Sequence, residues 1–403
     1  MRTRLRAAVG LLALTMAAAG CAESTDSGGS GGGGTIKVGL ILSYTGNFAT
    51  QAKDFENGFL AALDHRTKGT MEVAGHKIEL LRGDDTGDPA VGTTKAKELL
   101  GQGAKVLAGP TNSAVALAVA QQAVQNNVLY LGGTSGTADL VGMHDLVFAT
   151  SGASPAGTTL TTKTVGPEGR GKTLAYIGQD YAFGQDVGKQ TEAMFAPLGV
   201  TVRKFLLPQT TTDFTPLALQ LKNLEPDYMY SSWAGAGQDQ LWGTLKAQGI
   251  TASTTVVGAL LLSNNFPAQA DALGEGIANA RFTMSYFEGA TGNEQEQALI
   301  AYAKKNDHVI QYDDAVGWHA AEMLIRGIEQ GGEDPLTMAQ AIKDWSFTGP
   351  AGEVRIRGED NQVTVPGFTV KLVKAADGSW KPEKIQAFTA AELEPPVVRP
   401  IRK

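Results

Sequence analysis

The chain has 403 residues, of which 42% are apolar and 19% charged, and its formal net charge is -7. This mildly acidic balance, without a clustered stripe of Lys and Arg, argues against nucleic-acid binding. The single cysteine excludes a disulfide within the chain, so packing must stabilise the folded part. The length is enough for two domains of ordinary size.

Residues 1–20 have the order of an export signal. Three arginines precede the apolar run Ala7–Ala19, which is too short to span a membrane, and small residues lead to Cys21. We therefore predict a signal peptide over residues 1–20 and export of the chain that follows.

Cys21 is expected to carry a lipid. The sequence Ala18-Ala19-Gly20-Cys21 resembles a bacterial lipobox, in which the cysteine is diacylated and becomes the new amino terminus, although Ala18 stands where Leu is preferred. An ordinary secretory signal with a free cysteine is the alternative. Residues 21–34 are small, acidic or glycine, which predicts a flexible tether between the lipid at the outer face of the cell membrane and the folded part.

From residue 35 onward, strand-like and helix-like segments alternate. Ile36–Leu42 is rich in β-formers, whereas Ala52, Phe55, Phe59 and Leu63 recur at the helical spacing. Further strands are predicted at 76–82, 105–109, 128–131, 173–177, 200–206, 227–232 and 254–258, with helices at 90–100, 114–126 and 238–248 and helices ending near 195 and 224. Such alternation predicts parallel βαβ units, here an α/β fold with two doubly wound halves.

The C-terminal third changes character. Helices are predicted over 294–305 and 315–330, with Asp313 and Asp314 just ahead of the second, where acids usually serve the helix dipole. Antiparallel strands are predicted over 353–357 and 362–373, the latter joined to Trp380 by a hairpin turn at 375–378.

Two polar turns follow strands of the first half, where ligands of parallel α/β sheets bind. In the first turn, Thr111, Asn112 and Ser113 precede a helix, so hydroxyls and helix N-H groups could hold a carboxylate. Simple N-capping is the alternative interpretation of the same residues. The second turn, Gly132–Thr137, lacks the following lysine and the spacing of a P-loop, which disfavours a phosphate.

Six segments resemble, in order, the type I periplasmic binding proteins of the leucine/isoleucine/valine-binding branch. They are KVGLILSYTGNFA, VAGHKIELLRGDDTGDP, AKVLAGPTNSAVALAVA, LAYIGQDYAFGQD, DYMYSSWAGAG and QYDDAVGWHAAEML, and the likeness covers Ile36–Phe388. The resemblance implies two lobes linked by three hinge crossovers. Lobe one would take 35–154 plus 284–348, lobe two 155–283 plus 349–390, and residues 391–403 would form a C-terminal tail.

The resemblance also implies ligand-binding positions. Thr134 and Ser135 match the second binding loop, and Tyr181 and Trp233 match aromatic residues that cover the ligand as the lobes close; core packing is the alternative for both aromatics. Tyr44 and Phe48 flank the first turn and could wall the same pocket. Leu260, after the last strand of the second half, completes the expected ligand-binding set.

One departure from the resemblance affects the ligand. Amino-acid binders of this branch place a glutamate after the strand that here ends at Gly258, where it pairs with the ligand's ammonium, but residues 259–262 contain no acid. A buried ammonium without a carboxylate is costly. Either Asp180, Asp186 or Glu288 substitutes, or the ligand carries no ammonium.

The expected function is that of an ABC-importer receptor without cofactor or metal. The ligand would be a branched-chain amino acid or a related small carboxylate or amide, with an aromatic carboxylate as the alternative, and the partners would be the permease and its ATPase subunits. The five histidines are scattered, and no nucleophile elbow or HExxH motif indicates an enzyme. A lipoprotein that reports ligand to a membrane signalling protein would share these motifs.

Overall fold

The computed structural model describes residues 33–234, 237–259, 265–397 and 399–401. The predicted signal peptide, Cys21 and Leu260 lie outside these residues. No helix within the described part has both the length and the apolar character that a membrane crossing requires.

The first half contains a six-stranded sheet in the order β2-β3-β1-β4-β5-β6, parallel except where β2 pairs with β3. Three helices cover it, and Asp88 and Asn112 cap two of them. The strands are β1 Thr35–Leu42, β2 Glu72–Val73, β3 His76–Asp84, β4 Val106–Ala108, β5 Leu129–Leu131 and β6 Val147–Phe148; the helices are α1 Ala49–Thr67, α2 Pro89–Gly101 and α3 Ser113–Gln125.

The second half contains a four-stranded parallel sheet in the order β10-β9-β7-β8. Its strands are β7 Thr173–Gln179, β8 Thr201–Leu207, β9 Tyr228–Ser231 and β10 Thr255–Ala259; its helices are α4 Ala153–Val165, α5 Ala182–Phe195, α6 Thr215–Leu224, α7 Gln238–Ala247, α8 Ile250–Ser253 and α9 Phe266–Leu273. Two doubly wound α/β halves were expected, and this expectation is confirmed.

The remaining chain adds two antiparallel three-stranded sheets, ordered β11-β15-β16 and β12-β13-β14. Their strands are β11 Phe282–Met284, β12 Ser346–Gly349, β13 Gly352–Arg357, β14 Gln362–Thr364, β15 Gly367–Lys374 and β16 Trp380–Phe388; the helices are α10 Glu294–Lys305, α11 Tyr312–Gly331 and α12 Pro335–Ile342. The single strand predicted over 362–373 is wrong. Pro366 lacks an N-H for a ladder, and the chain passes there from one sheet to the other.

Helix α11 packs against α1 at backbone distance. A Cβ atom on Gly317 would lie 2.0 Å from the carbonyl oxygen of Phe55, and one on Gly58 would lie 1.8 Å from that of Asp314. The two glycines therefore let the helices approach more closely than any side chain would permit. The apolar rings of Phe59 and Trp318 are fully buried in the same core.

The buried carboxylate of Glu296 organises the loop between β11 and α10. It accepts hydrogen bonds from the backbone N-H groups of Gly289 (2.9 Å), Ala290 (3.0 Å) and Thr291 (3.1 Å) and also from Gly292. The loop thus obtains its backbone hydrogen bonds from one side chain instead of from a regular element.

Asn361 joins the β13-β14 hairpin to the first sheet. Its side-chain N-H groups lie within hydrogen-bond distance of the carbonyl oxygens of His144 (3.2 Å), Asp145 (3.0 Å) and Val147 (3.1 Å), which flank and form the edge strand β6. Gln362 makes a similar contact with the carbonyl oxygen of Gly152 at 2.7 Å. These contacts place β14 beside the end of the first sheet.

Candidate functional site

A cavity of about 210 Å³ opens where strands from both parallel sheets end. The turns after β4 and β5 contribute Thr111, Ser113 and Thr134 to its polar lining. Strand β9 and the segments after β7 and β9 supply four of its seven aromatic residues: Tyr181, Phe183, Tyr230 and Trp233. Six of the residues expected from the sequence line it: Phe48, Thr111, Ser113, Thr134, Tyr181 and Trp233.

The turn before α3 combines capping with exposure to the cavity. Asn112 does not line the cavity; its Oδ1 accepts the backbone N-H groups of Ala114 (2.9 Å) and Val115 (3.2 Å), which is N-capping. Thr111 and Ser113 do line it, and the Thr111 hydroxyl is buried without a hydrogen-bond partner among the described residues. Asn112 thus occupies two of the helix N-H groups, and Thr111 and Ser113 are the hydroxyl-bearing residues that this turn places on the cavity.

The glycine-rich loop after β5 packs closely against that turn. A Cβ atom on Gly133 would lie 2.5 Å from the carbonyl oxygen of Pro110, so this position requires glycine. Thr134 reaches the cavity, whereas Ser135 is buried behind it, and its carbonyl oxygen accepts a hydrogen bond from the Ser151 hydroxyl at 2.8 Å. Of the two residues of this loop that were expected to bind the ligand, Thr134 lines the cavity and Ser135 does not.

The aromatic wall comes mainly from the second half. The ring of Tyr181 lies edge-on to Phe183 at 6.2 Å, and burial raises the pKa of the Tyr181 hydroxyl. Trp233 is fully buried and lies edge-on to Phe214 at 5.0 Å, so it belongs to the core and to the cavity wall together. The two interpretations offered for Trp233 are thus compatible.

Tyr44 lies away from the cavity lining. Its hydroxyl donates to Oε2 of Glu56 at 2.7 Å, within the first half of the chain. That carboxylate also accepts from Nε of Arg82 at 2.6 Å. Tyr44 therefore belongs to a polar cluster at the base of the first turn.

The acid that the cavity does contain is Asp313, in the first turn of α11. Burial raises the pKa of its carboxyl to about 7, and the nearby Thr134 hydroxyl partly opposes this shift. Sequence reasoning assigned both acids of this turn to the helix dipole, but only Asp314 accepts the Gln311 N-H, at 2.8 Å. The side chains of adjacent helical residues point about 100° apart. The sequence therefore already indicated that Asp313 and Asp314 could not both lie on the same side of the helix.

Three acids were considered as replacements for the missing glutamate, and none of them is among the described residues that line the cavity. Asp180 is exposed and accepts from Gln185 at 2.8 Å, and Glu288 is exposed. Asp186, on α5, instead accepts the backbone N-H of Ala138 at 2.8 Å and the Thr137 hydroxyl. Burial raises the pKa of the Asp186 carboxyl, while these hydrogen bonds oppose the shift.

The Asp186 contacts connect the two halves of the chain beside the cavity. Phe183, on the same helix, packs against the loop after β5, where a Cβ atom on Gly136 would lie 2.5 Å from its ring. One carboxylate and one ring of the second half thus hold the polar loop of the first.

In the part of the chain that the structure describes, one group of side chains lies close enough together to hold a metal ion: Asp54, His308 and Asp314. Asp314 is already bound by His308 Nε2 (2.9 Å), by the Asn57 side-chain amide (2.6 Å) and by the Gln311 N-H. The group therefore ties α1 to the start of α11 through protein contacts.

The family model for periplasmic binding proteins matches residues 35–378, and the chain belongs to this family. It is 27% identical over 342 residues to the Leu/Ile/Val-binding protein BraC3 of Rhizobium johnstonii, covering 83% of this chain and 90% of that protein. The chain is thus a solute-binding protein of the ABC-transporter type, and its relatives are named as binding proteins rather than enzymes. Family membership implies an extracytoplasmic location.

Solved structures support the two-lobed fold. An ABC-transporter solute-binding protein of Rhodopseudomonas palustris in complex with p-hydroxybenzoic acid has a TM-score of 0.80 and 23% identity, over 88% of this chain and 97% of that one. A branched-chain amino acid transporter protein from the same species has a TM-score of 0.75 and 24% identity, over 90% and 99%. The family and fold expected from the sequence are confirmed.

Proposed function

We propose that the protein is the lipid-anchored receptor of an ABC importer, which captures a small solute in the cavity and delivers it to a permease and its ATPase subunits. The observation that carries this proposal is a cavity lined by Thr111 and Ser113 from the first half and by Tyr181 and Trp233 from the second. A ligand bridging such walls favours their approach over their separation. Lipidation of Cys21 would keep the receptor at the outer face of the membrane.

The lobes that close in this proposal follow the division made from the sequence, 35–154 plus 284–348 against 155–283 plus 349–390. The contacts of Asn361 with the end of the first sheet favour adding 349–364 to lobe one. The third crossover would then lie at Val365-Pro366, and Val365 lines the cavity.

The ligand class that the cavity supports best is a small amino acid with an apolar side chain. Hydroxyl-bearing and aromatic side chains line the same cavity, and the curated relatives are named Leu/Ile/Val-binding proteins. An aromatic carboxylate is the second candidate, because a structural neighbour was solved with p-hydroxybenzoic acid. A thermal-shift screen of both classes tests the proposal, since a ligand that binds only the folded state raises the melting temperature.

Ser113→Ala is expected to weaken ligand binding by about 1 to 3 kcal/mol, because it removes a hydroxyl that faces the cavity. Isothermal titration calorimetry with the best ligand of the screen measures the loss. The exposed Ser253, on α8, offers the same substitution as a control that should leave binding unchanged. Wild-type affinity in Ser113→Ala would remove this residue from the site.

Asp186→Ala is expected to weaken binding of the same ligand by about 1 to 2 kcal/mol. The contacts of Asp186 with Thr137 and Ala138 join the two halves of the chain, so they stabilise the closed arrangement that binds the ligand and not an open one. Small-angle scattering with ligand should show a larger open fraction than in the wild type. Asp180→Ala removes an exposed carboxylate that precedes α5 and, among the described residues, accepts only from Gln185 of that helix, so it serves as the control. Equal effects of the two substitutions would contradict a role of Asp186 in closure.

A further inference from the structure

The charge of the cavity wall is carried by one residue. Among the described lining residues, Asp313 is the one carboxyl, and none is Lys, Arg or His. Residues 235–236 and 260–264, which the structure does not describe, contain no ionisable side chain in the sequence. A charged ligand in this cavity therefore meets an acid and no protein cation.

No basic side chain of the described part forms an ion pair with Asp313. The groups that face it are acids and hydroxyls: Asp314 on the same helix, Asp54 from α1, and Thr134 from the loop after β5. His308 places its Nε2 2.9 Å from Asp314 and 3.6 Å from Asp54, and it forms no ion pair with Asp313. Burial raises the pKa of Asp54 to about 9, with further contributions from Asp313 and Asp314.

A buried carboxylate without a cationic partner is costly, so its charge calls for a partner from outside the protein. The rings of Phe48, Tyr286 and Tyr312 line the same cavity, and aromatic faces attract cations. The Tyr312 ring is fixed by a hydrogen bond from its hydroxyl to the carbonyl oxygen of Ser151 at 3.0 Å. An ammonium group suits these surroundings, whereas an isolated carboxylate would be repelled by the ionised acid.

We propose that Asp313 binds the ammonium group of the solute, so that this cavity selects amine-bearing solutes over acids that lack an amine. This inference rests on the proposed function as a solute receptor, and it names the residue that would determine which solutes bind. Asp313, at the start of α11, would then take the place of the glutamate that is missing from the sequence after β10.

The proposal fixes the direction of proton exchange. In the free protein, the pKa of Asp313 near 7 means that the carboxyl is partly protonated at pH 7. A bound ammonium stabilises the carboxylate and lowers that pKa, so binding releases protons, and affinity rises as the pH rises through 7. A protonated Asp313 that donated to an acid ligand would instead take up protons on binding.

The experiment compares two pairs of probes that differ only in the amine. L-leucine is matched with 4-methylpentanoate, and L-phenylalanine with 3-phenylpropanoate, each titrated calorimetrically into the mature protein at pH 7 in phosphate and in Tris. We expect at least one amino acid to bind at least 100-fold more tightly than its deaminated partner, with net proton release. In Asp313→Asn, that preference should fall below about tenfold while thermal unfolding stays cooperative.

Asp180→Asn makes the same change at an exposed carboxylate and should keep the wild-type preference within twofold. The assignment is overturned if a deaminated probe binds the wild type as tightly as its amino acid, if binding takes up protons, or if Asp313→Asn keeps the preference. If none of the four probes binds the wild type, capture of such solutes itself fails and the inference fails with it. Tight binding of 4-hydroxybenzoate alone would support the proposed solute capture and refute the role of Asp313.

Discussion

Gly317→Ala is expected to lower the free energy of unfolding by about 3 kcal/mol, because the new Cβ would lie 2.0 Å from the carbonyl oxygen of Phe55. The clash is with backbone, so no side-chain rotation relieves it, and α1 and α11 must move apart. That movement loosens the packing around the buried Phe59 and Trp318. Urea unfolding followed by circular dichroism measures the change.

Gly243, in the middle of α7, provides the matched control for this substitution. A Cβ atom there would meet nothing within 4 Å, so alanine is tolerated and should raise stability by up to about 1 kcal/mol through helix propensity. Opposite signs for the two Gly→Ala changes are the expected result. A neutral Gly317→Ala would mean that the two helices are not held at backbone distance.

Glu296→Gln is the second change with a large expected effect, a loss of about 3 kcal/mol of stability. The buried carboxylate accepts hydrogen bonds from the backbone N-H groups of four consecutive residues. In glutamine, an NH2 group replaces one carboxylate oxygen, and it cannot accept a hydrogen bond from the N-H groups that this oxygen bound. The loop 289–292 should lose its conformation before the rest of the chain unfolds. Hydrogen exchange of the four amides reports this directly.

Glu294→Gln, two residues earlier on α10, controls for the loss of a negative charge. Glu294 is 78% exposed at its side chain and is 3.7 Å from His65, so its removal should change stability by less than about 0.5 kcal/mol. Equal stability losses in the two variants would show that the charge, rather than the four hydrogen bonds, is what matters at position 296.

Local patterns were sufficient to predict most of the fold. Apolar runs such as Ile36–Leu42 and the helical spacing of Phe55 and Phe59 specify elements directly, and those predictions are confirmed. The threonine-rich α4 lacks a regular apolar stripe and was not predicted. Pro366 breaks a run that is otherwise continuous in β-formers, and which sheet each part joins depends on partners distant in the chain.

The candidate site was predicted unevenly for a related reason. Residues in turns after strands, such as Thr111 and Tyr181, follow from topology, because the ends of parallel strands meet at one edge. Asp313 comes from a helix far along the chain, and only the packing of α11 brings it to the same cavity. Two neighbouring acids look alike in sequence, yet Asp314 caps the helix and Asp313 lines the cavity.

The position of Asn361 has a consequence for self-association. The outer edge of a terminal strand such as β6 exposes carbonyl groups that can template the strand of another molecule. Here the amide group of Asn361, which has two N-H donors, lies within hydrogen-bond distance of the carbonyl oxygens of His144, Asp145 and Val147 and so occupies this edge. A strand of another molecule would have to displace this side chain to pair there, so Asn361 hinders edge-to-edge association at β6.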